Sequence, residues 1–417
     1  MPRAPDITDA PLTARPAARP GDLHWLTAER ACLYAAGVAL IWMALVGKTV
    51  WLFTGAHNHT GDVFGEDFVS FWAASRLVLS GHPADAYVQA MHRLAELPVL
   101  SGKYEAFYYP PSFLLLCAPL ALLPFFAALA VFQALTGLAF LAVIRGILRR
   151  RWAIVAALAF PAVPLNIVPG QNGFLTAAIT GGGLMLLDRR PRLAGLILGL
   201  MVIKPHLALA VPVALLASRR WRVLCWAAIS ALAVLAVTWL AFGSGCWANF
   251  LANAHAARAT LELGRVGFAK MESAFAVARL AGMGIPGAYA VQALIAGIAV
   301  CALLWVQRRS PSAALERSCI CLASLLMTPF VLHYDMVLLA LPLAWMLREW
   351  LDRGFPAWSK PVLLAVFCAP AAYLWTPVPF GLPAALLLGG YLLCHAAPAG
   401  QRGKDLAHAA GAVHSPA

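Results

Sequence analysis

Between Leu193 and Ala217 the chain is apolar except for Lys204, Pro205 and His206 near its middle. Arg189, Arg190 and Arg192 precede this stretch, and Arg219, Arg220 and Arg222 follow it. Arginines beside apolar spans mark the cytoplasmic side of a membrane. Both ends of the stretch then face the same side, so it must enter and return as two half-length helices meeting at the polar tip. A proline interrupts a helix, and an ammonium in a bilayer is costly. Irregular polar backbone at that depth is tolerated only where it is buried in protein or lines a cavity. The tip therefore predicts a cationic site for something anionic.

With 62% hydrophobic and 12% charged residues, a soluble globular domain is excluded. Apolar runs recur from Ala31 to Cys394, which makes the chain an all-α polytopic membrane protein. The net charge of +13 comes from arginines clustered beside spans, so it speaks for orientation and not for nucleic acid. Residues 1–30 read as a disordered cytoplasmic arm, because the apolar segment that follows is too long for a signal peptide and lacks a small-residue cleavage site. Residues 31–395 form the membrane domain and 396–417 a cytoplasmic tail. Of the nine cysteines only Cys246 falls clearly in a loop, so no disulfide framework is implied. Cys319 and Cys321 lack the partners a zinc site needs.

The first span runs from Ala31 to Phe53, which places residues 55–111 in an outer loop. In that loop Phe68, Phe71, Trp72, Leu77, Val78 and Leu79 suggest an interfacial amphipathic helix. Ser112 to Leu123 reads as a short re-entrant helix and Phe125 to Ile147 as a span. Trp152 to Val168 and Phe174 to Leu187 flank a Pro-Gly-Gln-Asn-Gly turn. After the Lys-Pro-His hairpin, Val223 to Phe242 leads to a second outer loop, residues 243–286. Ala288 to Val306, Cys319 to Leu332, Met336 to Leu347, Pro361 to Trp375 and Gly381 to Cys394 complete about twelve transmembrane helices, both termini inside. Several are shorter than the roughly 20 residues a full crossing needs. By this parity the polar motifs all share one face: Tyr108 to Pro111, Gly170 to Gly173, Lys204 to His206 and His333 to Asp335. That face is the outer, periplasmic one.

Asp67 opens the aromatic helix of the first outer loop, where a carboxylate can act as general base for a hydroxyl; an N-cap or solvated acid is the plainer reading. Glu66 competes with it, but adjacent helix positions point about 100° apart, so one of the two is expected to face a cavity. Lys204 and His206 offer charge and hydrogen bonds to a phosphate, against a lysine that merely snorkels to water. His333 and Asp335 flank a turn, as site residues or as a hydrogen-bonded structural pair. Gln171 and Asn172 suit sugar hydroxyls as well as they suit a capped turn. Lys48 reads as a snorkelling lysine, and Asp85, Glu96 and Glu105 as solvated loop charges.

Four stretches give the chain a family likeness: EDFVSFWAASRLVLSGHPADAY (Glu66 to Tyr87), YYPPSFLLLCAPLALLP (Tyr108 to Pro124), the segment from Gly170 to Arg222 with its Gly-Gln-Asn and Lys-Pro motifs, and TPFVLHYDMVLL (Thr328 to Leu339). In this order the chain resembles glycosyltransferase family 87, the polyprenyl-phosphate-mannose-dependent mannosyltransferases of the C-type glycosyltransferase superfamily. The His-x-x-Asp-type turn is compressed here to His-Tyr-Asp. The resemblance implies a C-type architecture in a bacterial inner membrane and an inverting, metal-independent transfer without cofactor. The donor would be a polyprenyl-phosphate sugar and the acceptor a lipid or glycan, met among membrane lipids. Asp67 would be the base, and Lys204, His206 and His333 would hold the donor phosphate. Glu66, Arg76, Tyr109, Gln171, Asn172 and Asp335 would bind sugar or acceptor.

Two other functions fit parts of the pattern. Half-helices broken near mid-membrane also mark secondary transporters, although no inverted repeat is visible and the polar groups gather on one face. A non-catalytic subunit of an envelope-glycan pathway would not depend on Asp67.

Overall fold

The computed structural model describes residues 23, 25–53, 63–100, 103–309, 312–376 and 378–396. Most of the arm expected at 1–30, nearly all of the tail expected at 396–417, and residues 54–62 of the first outer loop lie outside the described residues. The regular secondary structure of the described residues is helical, with one isolated β-bridge between Met271 and Leu332. Four helices are long and apolar enough to cross a membrane: Ala28–Phe53, Phe125–Leu148, Trp221–Glu262 and Ile285–Arg309. They leave Leu40, Ile41, Leu135, Leu138, Leu232, Leu240, Leu294 and Ile298 exposed, an apolar belt that suits lipid and not water.

Shorter helices fill the space between them, and prolines cut several. The run expected as one span from Trp152 divides into Ala153–Ala159 and Ala162–Ile167. Pro161 pushes Phe160 into an extended conformation (ψ 121°), as a residue before proline prefers. The re-entrant piece is a two-turn helix, Pro111–Cys117, followed by a 3-10 turn. The Lys-Pro-His stretch forms two short apolar helices, Pro191–Ile203 and Pro205–Ala217, joined at Lys204, whose backbone is non-helical (φ −143°, ψ 69°).

Two expectations are corrected. The helix Glu66–Leu79 does not lie on an interface, for Phe68, Val69, Ser70, Phe71, Ala73, Ala74, Ser75 and Leu77 are all buried. Phe71 packs on Phe113 at 4.9 Å and Phe68 on Phe132 at 5.4 Å between ring centres, contacts worth about 0.5–1.5 kcal/mol each beyond their area. Nor is 243–286 simply a loop. Gly243 turns the chain with a left-handed φ of 74°, and helix continues to Glu262, with Cys246 buried inside it.

Close helix approach depends on small residues. A side chain at Gly195 or Gly199 would collide with the backbone at Val223 and Ala227, so the spacing Gly-x-x-x-Gly lets Pro191–Gly199 lie directly on the start of Trp221–Glu262. At the arginine-bearing turns, Arg220 pairs with Asp188 (2.7 Å) and Glu316 (2.9 Å), and Arg317 pairs with Asp188 (2.6 Å). Three turns distant in sequence are thus tied at one end of the bundle.

Candidate active site

A cavity of about 1540 Å³ is lined by residues from every polar motif the sequence places on one face: Glu66 and Asp67, Tyr108 and Tyr109, Gln171, Lys204 to His206, and His333. Apolar residues of the first long helix, among them Leu45 and Leu52, form one wall.

Asp67 is positioned by two backbone contacts. Gly65 (φ 83°) donates from its N–H to the Val168 carbonyl at 2.9 Å, and the Phe68 N–H donates to the Pro169 carbonyl at 3.1 Å. The helix therefore starts against the Pro-Gly-Gln-Asn-Gly turn, where its first carboxylates also meet the positive end of the helix dipole. At Gly170 (φ 78°) a side chain would overlap Phe68 and Leu129. Across this joint the Gln171 Nε2 donates to Asp67 Oδ2 at 2.9 Å, and the Tyr109 hydroxyl donates to Gln171 Oε1 at 3.0 Å. Gln133 and Asn166 hold the turn from behind: Gln133 Nε2 donates to the Gln171 carbonyl (2.8 Å), and the Gly173 N–H donates to Asn166 Oδ1 (2.7 Å). Removal from water raises the Asp67 carboxyl above the usual aspartate range, and the Gln171 bond and the charge of Lys270 lower it in part.

Glu66 and Asp67 both line the cavity, against the expectation that one of them would. They stand on the first turn, and the cavity wraps the helix start. Glu66 takes an ion pair from Lys103 at 3.0 Å. Arg76 is about two and a half turns further along, on the opposite side of the helix. It donates to the Ala95 carbonyl (3.3 Å), lies over the Trp72 ring, and does not line the cavity.

Lys204 is 2% exposed. Its Nζ donates to Asp335 Oδ1 at 2.5 Å and to Asn172 Oδ1 at 3.0 Å, and it faces the Tyr334 ring at 5.0 Å. Asp335 and Asn172 are not cavity-lining residues as expected; they hold the lysine from below. Asp335 also accepts from the Leu332 N–H (3.1 Å) at the start of the 3-10 helix His333–Leu339. His333 does not pair with Asp335. It stacks on Tyr373 at 4.6 Å with an interplanar angle of 5°. His206 meets Phe330 edge-on. His206 Nε2 and His333 Nδ1 are buried with no hydrogen-bond partner among the described residues.

Three expectations for charged residues are corrected. Glu96 and Glu105 are not solvated loop charges, for Glu96 is buried and Glu105 lines the cavity. Lys48, expected to snorkel, lines it too. Burial, with Asp67, Glu66 and Glu96 nearby, pushes the carboxyl of Glu105 up to about 8. Its place three residues before Tyr108-Tyr109-Pro110 was the available signal. Glu96 is fully buried beside His92 (3.3 Å) and accepts from the Glu105 N–H. Tyr334, Lys270 and Tyr373 also line the cavity, and no periodicity marks them. No group of three His, Cys, Asp or Glu side chains is placed to hold a metal among the described residues.

The profile of glycosyltransferase family 87 matches residues 107–329, more than half of the chain. No curated protein and no solved structure matches it.

Proposed function

We propose, for a chain that belongs to glycosyltransferase family 87, that it moves a sugar, mannose by family likeness, from a polyprenyl-phosphate donor to a lipid or glycan acceptor. The reaction runs with inversion at the periplasmic face of a bacterial inner membrane, on a body of about twelve spans. One observation carries this reading: a carboxylate, Asp67, is aimed by Gln171 into the same cavity that Lys204, His206 and His333 line.

The acceptor hydroxyl gives its proton to Asp67 as its oxygen attacks the anomeric carbon. The bond from that carbon to the phosphate oxygen breaks on the opposite side, and polyprenyl phosphate leaves with the electron pair. A carboxyl raised by burial is a better base near neutral pH than a solvated one. The imidazoles of His206 and His333, together with Lys204, supply donors to the phosphate at the floor. Tyr109, Gln171 and Glu66 surround the sugar and the acceptor. The apolar wall from the first long helix suits the polyprenyl chain.

Reconstituted protein offered a panel of radiolabelled polyprenyl-phosphate sugars with membrane lipid extract tests the reading. One labelled donor, transferred by the protein and not by the Asp67→Asn variant, is the expected result. Label retained on every lipid phosphate would overturn it.

A further inference from the structure

Three of the six lysines and arginines that line the cavity have carboxylate partners. Lys204 is paired with Asp335, Lys103 with Glu66 and Arg258 with Glu262. A phosphate at the floor would meet a lysine whose charge is cancelled where it is buried. Lys270 differs. It lines the same cavity and is exposed, and no carboxylate lies within ion-pair distance of it among the described residues.

Its backbone is fixed firmly for a loop. Met271, fully buried, forms the β-bridge to Leu332. The Glu272 N–H donates to the Val331 carbonyl at 2.8 Å, and the Gly381 N–H donates to Glu272 Oε2 at 2.7 Å. These bonds hold Lys270 beside His333 in the cavity lining. Its charge acts on Asp67 and on Glu105. Arg265 and Lys48 line the cavity too, but neither is clamped in this way and neither acts on Asp67.

We propose that Lys270 is the cation that takes up the charge developing on the leaving phosphate, a proposal that rests on the lipid-phosphate donor named above. A sugar phosphodiester carries one negative charge, and the phosphate monoester released from it gains a second. An unpaired ammonium at that point therefore favours the transition state and product over the bound donor. The buried Lys204–Asp335 pair builds the floor, where Lys204 meets the phosphate as a hydrogen-bond donor whose charge is already balanced.

The test is binding of a short-chain polyprenyl monophosphate in detergent, with the same polyprenol lacking phosphate as control, alongside donor turnover. Wild type should prefer the phosphate. Lys270→Ala should weaken phosphate binding on the order of 10–100-fold and lower kcat more than it raises the donor KM, while polyprenol binding is unchanged. Lys270→Arg should recover much of both. Unchanged phosphate binding in Lys270→Ala, with only the acid limb of the pH–rate profile displaced, would overturn the proposal and leave Lys270 as a counter-charge for the carboxylates. Wild type that does not distinguish phosphate from polyprenol would instead overturn the donor reading beneath it.

Discussion

Asp67 and Gln171 stand 104 positions apart and share one hydrogen bond of 2.9 Å, which fixes a carboxylate at the mouth of a helix over a polar cavity. The side-chain amide oxygen accepts from Tyr109, and Gln133 holds the Gln171 backbone carbonyl. Gln171 thus presents its N–H to the carboxylate, leaving the other carboxylate oxygen to meet an acceptor.

Asp67→Asn keeps the size and much of the hydrogen bonding of the side chain. Turnover should fall by about 10²–10⁴, with donor binding and thermal stability retained. Glu66→Gln keeps hydrogen-bonding groups toward sugar or acceptor and loses the ion pair with Lys103, an exposed pair worth about 0–1 kcal/mol, and should be mild. Turnover of both variants, with donor affinity measured alongside, checks this. An active Asp67→Asn with an inactive Glu66→Gln would move the base to Glu66.

Gln171→Ala should displace the acid limb of the pH–rate profile to higher pH. Ionised Asp67 loses the bond that lowers its pKa, while burial continues to raise it. Glu66→Gln should move the limb the other way, because it removes a neighbouring charge that raises Asp67. Profiles recorded over the range from mildly acidic to mildly basic separate these two displacements by their sign.

The proposed orientation rests on arginine placement and has a direct check. Reporters or single accessible cysteines at Met91 and Arg258 should be reached from outside, and one at Arg150 from the cytoplasm. A cytoplasmic signal at Met91 would put the cavity on the wrong side for the proposed donor pool.

Much of this was legible in the chain. Hydropathy marks the four long apolar helices, and the Lys-Pro-His break falls where the backbone departs from helix at Lys204. Partner choice was not legible. Asp335 reads beside His333 as one turn, yet it reaches Lys204 across 131 positions, a pairing that no local period encodes. Hydropathy also cannot tell a lipid-facing aromatic from one packed in protein, so Phe68 and Phe71 looked interfacial. The helix after Gly243 was hidden by its polar residues, although the alanine-rich run 252–259 favours helix.

Two carboxyls raised by removal from water make the outer segments sensitive to pH. Burial pushes Glu272 up to about 7 and Glu105 up to about 8. The folded state then holds protons that the unfolded chain has released above about pH 4.5. Stability is therefore expected to be highest near pH 5 and to fall as pH rises through 7 and 8. Thermal unfolding in detergent at both ends of that range should show the loss, and Glu272→Gln should flatten it. A Tm that rises with pH would show that neither group is buried protonated.

The Lys204–Asp335 pair can be separated from any contact with substrate by a double substitution. Both groups are almost wholly buried, 2% and 1% exposed, so removing one partner strands the other charge. Lys204→Met alone and Asp335→Leu alone should each cost about 3–5 kcal/mol of stability. The double variant replaces the pair with apolar groups of similar length, which is often neutral for stability, so much of the lost Tm should return. If Lys204 also touches the donor phosphate, activity will not return with stability, and the donor KM will stay high. Recovery of both would make the pair purely structural and leave phosphate binding to Lys270, His206 and His333. Unfolding temperature and donor KM, measured on the same four proteins, decide between these outcomes.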